Sequence, residues 1–166
     1  MAYDGKVMRA AWQRFEEDKQ RRASQAETRR RRIYQEVPRL EEIEKQADKL
    51  GIVQDILLEV NIGGEAAKSG FAPEAVAEAA SHAKELAHVQ VRGLMTIPPA
   101  SATQAENMVY FQKVHALYVD INQKKYDNKL DYLSMGMSGD FADAIRAGSN
   151  MVRVGTAIFG ARDYTK

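Results

Sequence analysis

Cysteine is absent from this chain of 166 residues, which excludes disulfides, thiolate metal sites and a thiol nucleophile. No apolar run approaches the roughly 20 residues of a membrane-spanning helix, and no secretory leader opens the sequence. A soluble, cytoplasmic protein without a membrane partner is the expectation. The GxxxxGK[ST] loop of P-loop nucleotide binding is missing. The three histidines have no second ligand at metal spacing, so His82 and His88 read as surface or capping residues and His115 as structural. Charge of one sign is also lacking. The formal net charge is +1, and the arginine run at 29–32 is diluted by Glu16, Glu17 and Asp18. That run reads as a solvated helix face rather than a nucleic-acid patch.

The charge is unevenly spread. Residues 1–50 carry thirteen Lys or Arg against ten Asp or Glu, and the remainder carries eleven against thirteen. Between Gly5 and Gly51 there is no glycine, and Pro38 is the one proline in that stretch. Such a composition favours helix. Met8, Trp12 and Phe15 share one face of a first helix expected over about 6–32. Pro38 is expected to interrupt it, because the residue before a proline disfavours the α region. Leu40, Ile43, Ala47 and Leu50 then stripe a second helix, capped by Gly51.

After Gly51 the pattern becomes alternation of strand and helix. Residues 56–61 (ILLEVN) form a nearly continuous apolar run, as in a sheet strand covered on both faces. Lys68 follows in a loop and reads as solvated or as an anion contact. Pro73 suits a first helical turn, and Val76, Ala79, Ala80, Ala83, Leu86 and Ala87 supply an apolar face. A strand over 89–95 ends in Thr96-Ile97-Pro98-Pro99. Thr103-x-x-Glu106 is a capping box, and Met108, Phe111, Val114, Leu117, Tyr118 and Ile121 recur at helical spacing as core. The segment 131–160, DYLSMGMSGDFADAIRAGSNMVRVGTAIFG, contains a short strand at 133–135 and a glycine-rich loop at 136–139. A helix capped by Asp140 and ended by Gly148 follows, then a strand at 151–154 broken at Gly155-Thr156. The order is α–α–βαβαβαβ, the signature of a parallel α/β sheet. Ser138 and Thr156 are each delivered beside glycine at a strand end, an arrangement that bares backbone N–H groups for a phosphate.

SMGMSGD followed by MVRVGTAIFG closely resembles the pyridoxal-phosphate homeostasis family, whose fold is the alanine-racemase-type barrel. The resemblance continues upstream through LLEVNIGGEAAKSGF (57–71) and VRGLMTIPP (91–99), and EEIEKQADKLGIVQD resembles the family's fourth barrel helix. It implies a half-barrel over residues 41–166, holding strands five to eight of an eight-stranded βα barrel. A complete barrel takes about 250 residues, and rarely under about 200. Residues 1–40 form a separate, charged helical arm. MAYDGKVMRAAWQRFEEDKQRR and RRIYQEVPRL resemble the N-terminal arm of bacterial ATP-binding helicase loaders, so the chain reads as a join near residue 40.

The resemblance implies pyridoxal 5′-phosphate as cofactor, with Ser138, Gly155 and Thr156 on the phosphate and Arg153 at the pyridine nitrogen. Family members often carry Ser where Gly63 stands. The family's covalent lysine lies on a first strand that this sequence does not contain, and Lys68, Lys84, Lys113, Lys124, Lys125 and Lys129 match no such position. Non-covalent binding without catalysis is therefore expected. Two readings stay open: a fragment of a cofactor-binding homeostasis protein, or a non-catalytic assembly module whose arm contacts a protein partner. Four strands with two open edges and an apolar inner face would also favour a homodimer.

Overall fold

The computed structural model describes the backbone of residues 5–160, with side chains at 13–14, 16–22 and 37–160. The expected apolar face of Met8, Trp12 and Phe15 and the arginine run at 29–32 lie outside the described side chains. Among the described residues no helix is long and apolar enough to cross a membrane.

Helix α1 (Gly5–Leu50) is a single element with Pro38 inside it, so the expected interruption does not occur. A proline removes one N–H and crowds the carbonyl four residues back, at a cost of about 3 kcal/mol. Two features offset that cost. The chain has no helix-breaking glycine for 45 residues after Gly5, and the turns beyond Pro38 are anchored. Leu40 and Ala47 are buried and Val37 packs on the core, while Pro38 itself faces solvent. Gly51 ends the helix in the left-handed region, its N–H donating to Asp48 O (3.0 Å) while Ile52 N–H donates to Ala47 O (3.1 Å). This reciprocal pair satisfies carbonyls that a helix end would otherwise orphan.

A second set of contacts fixes the angle of α1. Glu41, Glu44 and Asp48 recur at three and four residues along one helix face. They meet His82 and His88, which read from the sequence as surface or capping residues. The His88 backbone N–H donates to Glu44 Oε2 (2.7 Å) and its Nδ1 lies 2.9 Å from Glu44 Oε1. His88 Nε2 is 3.6 Å from Asp48, and His82 Nε2 is 3.8 Å from Glu41.

The remaining elements are β1 (Gln54–Val60), α2 (Val76–Ala83), β2 (Val89–Thr96), α3 (Gln104–Tyr126), β3 (Tyr132–Met137), α4 (Phe141–Arg146), β4 (Met151–Arg153) and α5 (Thr156–Phe159). The strands form one sheet in the order β1-β2-β3-β4, with every adjacent pair parallel. Each connection is a helical crossover, as parallel neighbours require. Leu58, Val60, Val91, Leu94, Leu133 and Met135 bury one sheet face against Val76, Ala79, Ala80, Phe111 and Val114. The Thr103–Glu106 capping box is present at α3.

Three local expectations are corrected. The third strand runs through Gly136 and Met137 instead of stopping at 135. Gly136 adopts φ +92°, and a Cβ there would lie 2.7 Å from Ala144 Cβ, so its lack of a side chain lets α4 rest on the strand. Asp140 occupies the N-cap position of α4 but makes no capping bond. Its Oδ1 accepts instead from Met137 N–H (2.7 Å), closing the loop behind it. The expected apolar inner face is mixed: Leu57, Met95 and Met151 share it with Glu59, Ser134 and Arg153. That face is free to be polar because, among the described residues, the helices of the core pack on the other one.

Two outcomes test this packing. A Cβ at Gly93 would lie 1.8 Å from Tyr132 O, a backbone atom of the neighbouring strand. Gly93→Ala should therefore cost more than about 3 kcal/mol in denaturant titration, beyond the range of most single substitutions. Burial pushes the Glu44 carboxyl up, but hydrogen bonds from the His88 side chain and backbone and the charge of His88 together hold it below its ordinary value of 4.5. A lowered carboxyl contributes stability above its unfolded pKa that is lost as pH falls through the folded value. Thermal melts should show the native chain losing stability more steeply below about pH 4.5 than Glu44→Gln.

Candidate functional site

Three hydrogen-bonding side chains tie the C-terminal ends of the four strands together. Thr96, fully buried at the end of β2, donates from Oγ1 to Val60 O at the end of β1 (2.7 Å). The Thr96 carbonyl in turn accepts from Arg153 Nη2 (3.2 Å), and Arg153 Nη1 donates to Ser134 Oγ on β3 (2.7 Å). An exposed arginine is usually mobile. Here the β4 residue lies along the uncovered sheet face, with its guanidinium fixed across β2 and β3. Beneath this line Ser149 Oγ accepts from Met135 N–H (3.3 Å) and lies within hydrogen-bond distance of the carbonyls of Leu133, Met135 and Met151. That cluster holds β4 against β3 where only three residues are in strand geometry.

Beyond the strand ends two loops converge. Ser138, just past β3, accepts at Oγ from the backbone N–H groups of Gly155 (3.1 Å) and Ala157 (3.2 Å). Gly155 and Thr156 are exposed at the start of α5. A Cβ built on Gly139 or Gly155 meets nothing within 4 Å, so open space borders both loops. Two N–H donors aimed at one point, at a helix start and beside a hydroxyl, form an arrangement that suits an anionic oxygen. Ser138, Gly155 and Thr156 are thus brought together, with Arg153 on the adjoining strand. Thr96 and Ser134 were missed by sequence reasoning. The one signal for Thr96 was its place between an apolar strand and the rigid Ile97-Pro98-Pro99 turn.

The loop after β1 is built differently. Asn61, nearly buried, donates from Nδ2 to Glu65 O (2.8 Å) and Lys68 O (3.2 Å) and accepts from Glu65 N–H at Oδ1 (3.1 Å). Lys68 donates to Pro98 O (3.1 Å) and pairs with Glu65 (2.6 Å). It therefore bridges two loops instead of standing free in solvent. The same closeness affects Gly63, where a Cβ would stand 2.4 Å from Pro99 Cγ. A serine at 63 would force Pro99 to move. His115 packs against Gly148, in keeping with a structural role. Among the described residues no group of three or more His, Asp or Glu is placed to hold a metal ion.

Residues 9–163 match the family described as alanine racemase, N-terminal domain. The chain belongs to this family. The match begins inside α1, upstream of residue 40. The chain is 47% identical over 124 residues to a pyridoxal phosphate homeostasis protein of Aquifex aeolicus, covering 75% of this chain and 54% of that protein. It is 44% identical over 112 residues to the protein of that name from Pasteurella multocida, covering 68% and 48%. Among solved structures, PipY of Synechococcus elongatus with pyridoxal phosphate bound superposes with a TM-score of 0.63 at 30% identity, over 72% of this chain and 55% of PipY. The form without the cofactor gives 0.68 at 32% identity, over 73% and 56%. The chain spans about half the length of the curated relatives it matches. The resemblance read from SMGMSGD and MVRVGTAIFG thus holds at the level of the family.

The hydrogen-bond line across the strand ends has a measurable consequence. Thr96→Val keeps the shape of the side chain but removes one of two hydrogen bonds to the Val60 carbonyl, which keeps the Ile62 N–H (3.0 Å), at a cost of about 0.5–1.5 kcal/mol. Urea denaturation of the variant should show a loss within that range.

Proposed function

We propose that this chain is the strand-five-to-eight half of an alanine-racemase-type βα barrel and binds pyridoxal 5′-phosphate non-covalently, without catalysing a reaction. The observation that carries this reading is the convergence of two backbone N–H groups on Ser138 at consecutive strand ends. Four parallel strands in sequential order support the half-barrel. In a barrel of this kind the phosphate site commonly lies in the loops after strands seven and eight, the loops that here carry Ser138 and Gly155-Thr156.

The residues present fit the phosphate. The N–H groups of Gly155 and Ala157 stand at a helix start, where the backbone dipoles favour negative charge. The Ser138 hydroxyl accepts from both in the free chain and, by rotating its proton, can donate to an incoming anionic oxygen. The open space beside Gly139 and Gly155 admits that oxygen. Arg153 is assigned to the pyridine nitrogen. A guanidinium keeps its proton at any physiological pH and so disfavours protonation of the ring nitrogen. When bound, the cofactor would supply an electron sink, and a guanidinium that leaves the ring nitrogen without a proton would weaken that sink. Ser134 and Thr96 hold Arg153 in place and limit its freedom to turn away.

The residues do not fit a covalent anchor. None of the four strands carries a lysine. Lys68 is committed to Pro98 and Glu65, Lys84 donates to Lys125 O (2.7 Å), and Lys125 donates to Ser81 Oγ (2.6 Å). Holding and releasing the cofactor is the activity that these residues support.

A titration followed by cofactor absorbance tests the assignment. The chain should bind pyridoxal phosphate, inorganic phosphate should compete, and Ser138→Ala should weaken binding about tenfold, the worth of one hydrogen bond to a charged group. Binding unchanged in Ser138→Ala would remove Ser138 from the site. Borohydride reduction followed by mass spectrometry should leave every lysine unmodified, and one lysine reduced stoichiometrically would overturn the non-covalent reading.

A further inference from the structure

Ser138 meets two N–H donors only while the loop that carries it is held, and the group that holds it is a carboxylate. Asp140 closes residues 137–140 from both ends. Its backbone N–H donates to Met137 O (3.1 Å), and its Oδ1 accepts from Met137 N–H (2.7 Å). Ser138 and Gly139 are the two residues left between these bonds. Asp140 O then accepts from the N–H groups of Asp143 and Ala144 (3.1 Å each) and so begins α4. A tip that contains glycine samples many conformations when its ends are free. Here both ends are tied to one residue.

The carboxylate is tied in turn. Its Oδ2 accepts from Asn107 Nδ2 on the first turn of α3 (3.4 Å). Three residues earlier, Gln104 Nε2 donates to Oδ2 of the nearly buried Asp143 (2.7 Å). Gln104 and Asn107 therefore share a helix face, and the Thr103–Glu106 box fixes the turn on which they stand. Among the described residues no partner reaches the buried Asn107 Oδ1. An amide that leaves its oxygen unsatisfied is held by what its nitrogen reaches, and that is Asp140.

We propose that Asp140 is the positioning residue for Ser138: bridged to Asn107, it holds the 137–140 loop in the shape that keeps Ser138 Oγ on the Gly155 and Ala157 N–H groups. This deepens the cofactor reading above and rests on it for the identity of the anion. The charge of Asp140 is not what serves the site, because a carboxylate two residues from Ser138 repels an anion. Its two oxygens serve it, one for Met137 N–H and one for Asn107. An uncharged amide at 140 keeps the first bond through its own oxygen. Its nitrogen can donate to Asn107 Oδ1 once that amide turns over. A methyl group at 140 keeps neither bond.

Amide hydrogen exchange in the ligand-free chain reads the position of Ser138 through the Gly155 and Ala157 N–H groups. Asp140→Ala should speed exchange at both amides about tenfold, the worth of a hydrogen bond to a charged group. Asp140→Asn should restore the native rate. Asn107→Ala, which leaves the Met137 bond in place, should give a smaller increase. If Asp140→Ala loses its circular dichroism, Asn107→Ala decides, and unchanged exchange in that folded variant overturns the proposal. Titration with inorganic phosphate and with pyridoxal phosphate should show Asp140→Ala weakened about tenfold and Asp140→Asn no weaker than the native chain. Ser138→Ala should add nothing on top of Asp140→Ala, because both changes remove one contact. Native exchange rates in Asp140→Ala, additive effects of the two alanines, or an Asp140→Asn chain as weak as Asp140→Ala would each sink the assignment. A native chain that binds neither phosphate nor cofactor would end the cofactor reading, and the exchange rates would still decide whether Asp140 positions Ser138.

Discussion

Burial of one face of the sheet is the constraint on which the rest of the structure depends. Leu58, Val60, Leu94, Leu133 and Met135 can leave water only beneath α2, α3 and the end of α1. Every crossover helix must then lie on the same side, which makes the connections run in one sense and the strands lie in sequential order. With all helices on one side, the other face is free to carry Glu59, Ser134 and Arg153. Loops at the strand ends become the one place where backbone N–H groups and side chains from different strands converge.

That asymmetry explains why the polar groups are where they are. Thr96 is fully buried, so its hydroxyl and carbonyl must find partners. They find them in Val60 and Arg153, and the arginine is thereby set over β2 and β3. Ser149 performs the matching task lower down, joining β3 to β4 with a single hydroxyl. Rigidity at the strand ends is thus a by-product of satisfying buried polar groups, and it places Ser138 opposite the Gly155 N–H.

Helix α1 shows how tertiary burial overrides a local signal. By propensity Pro38 should break it, yet Val37, Leu40 and Ala47 pack on the core on either side of the missing bond. Glu44 and His88 supply polar contacts at the same junction. At the end of α1, Leu50 is largely exposed and Ile43 partly so.

Much of this was legible in the sequence because it is local. Alternating apolar runs and glycine punctuation located the four strands of the sheet, the Thr103–Glu106 box and the stop at Gly51 marked helix ends, and Ser138 and Gly155-Thr156 marked two loops that meet. Those signals depend on neighbours within a few residues. Tertiary structure decided what depends on distance. Strand β3 continues through Gly136 because α4 needs the space of the missing Cβ. Asp140 accepts from the Met137 N–H instead of capping its own helix. Lys68 bridges loops because Pro98 is brought beside it, and His82 and His88 face carboxylates some forty residues away. Thr96 and Ser134 join the site only when three strands are side by side. A sequence records which groups need partners, but the nearest partner exists only after the chain has folded.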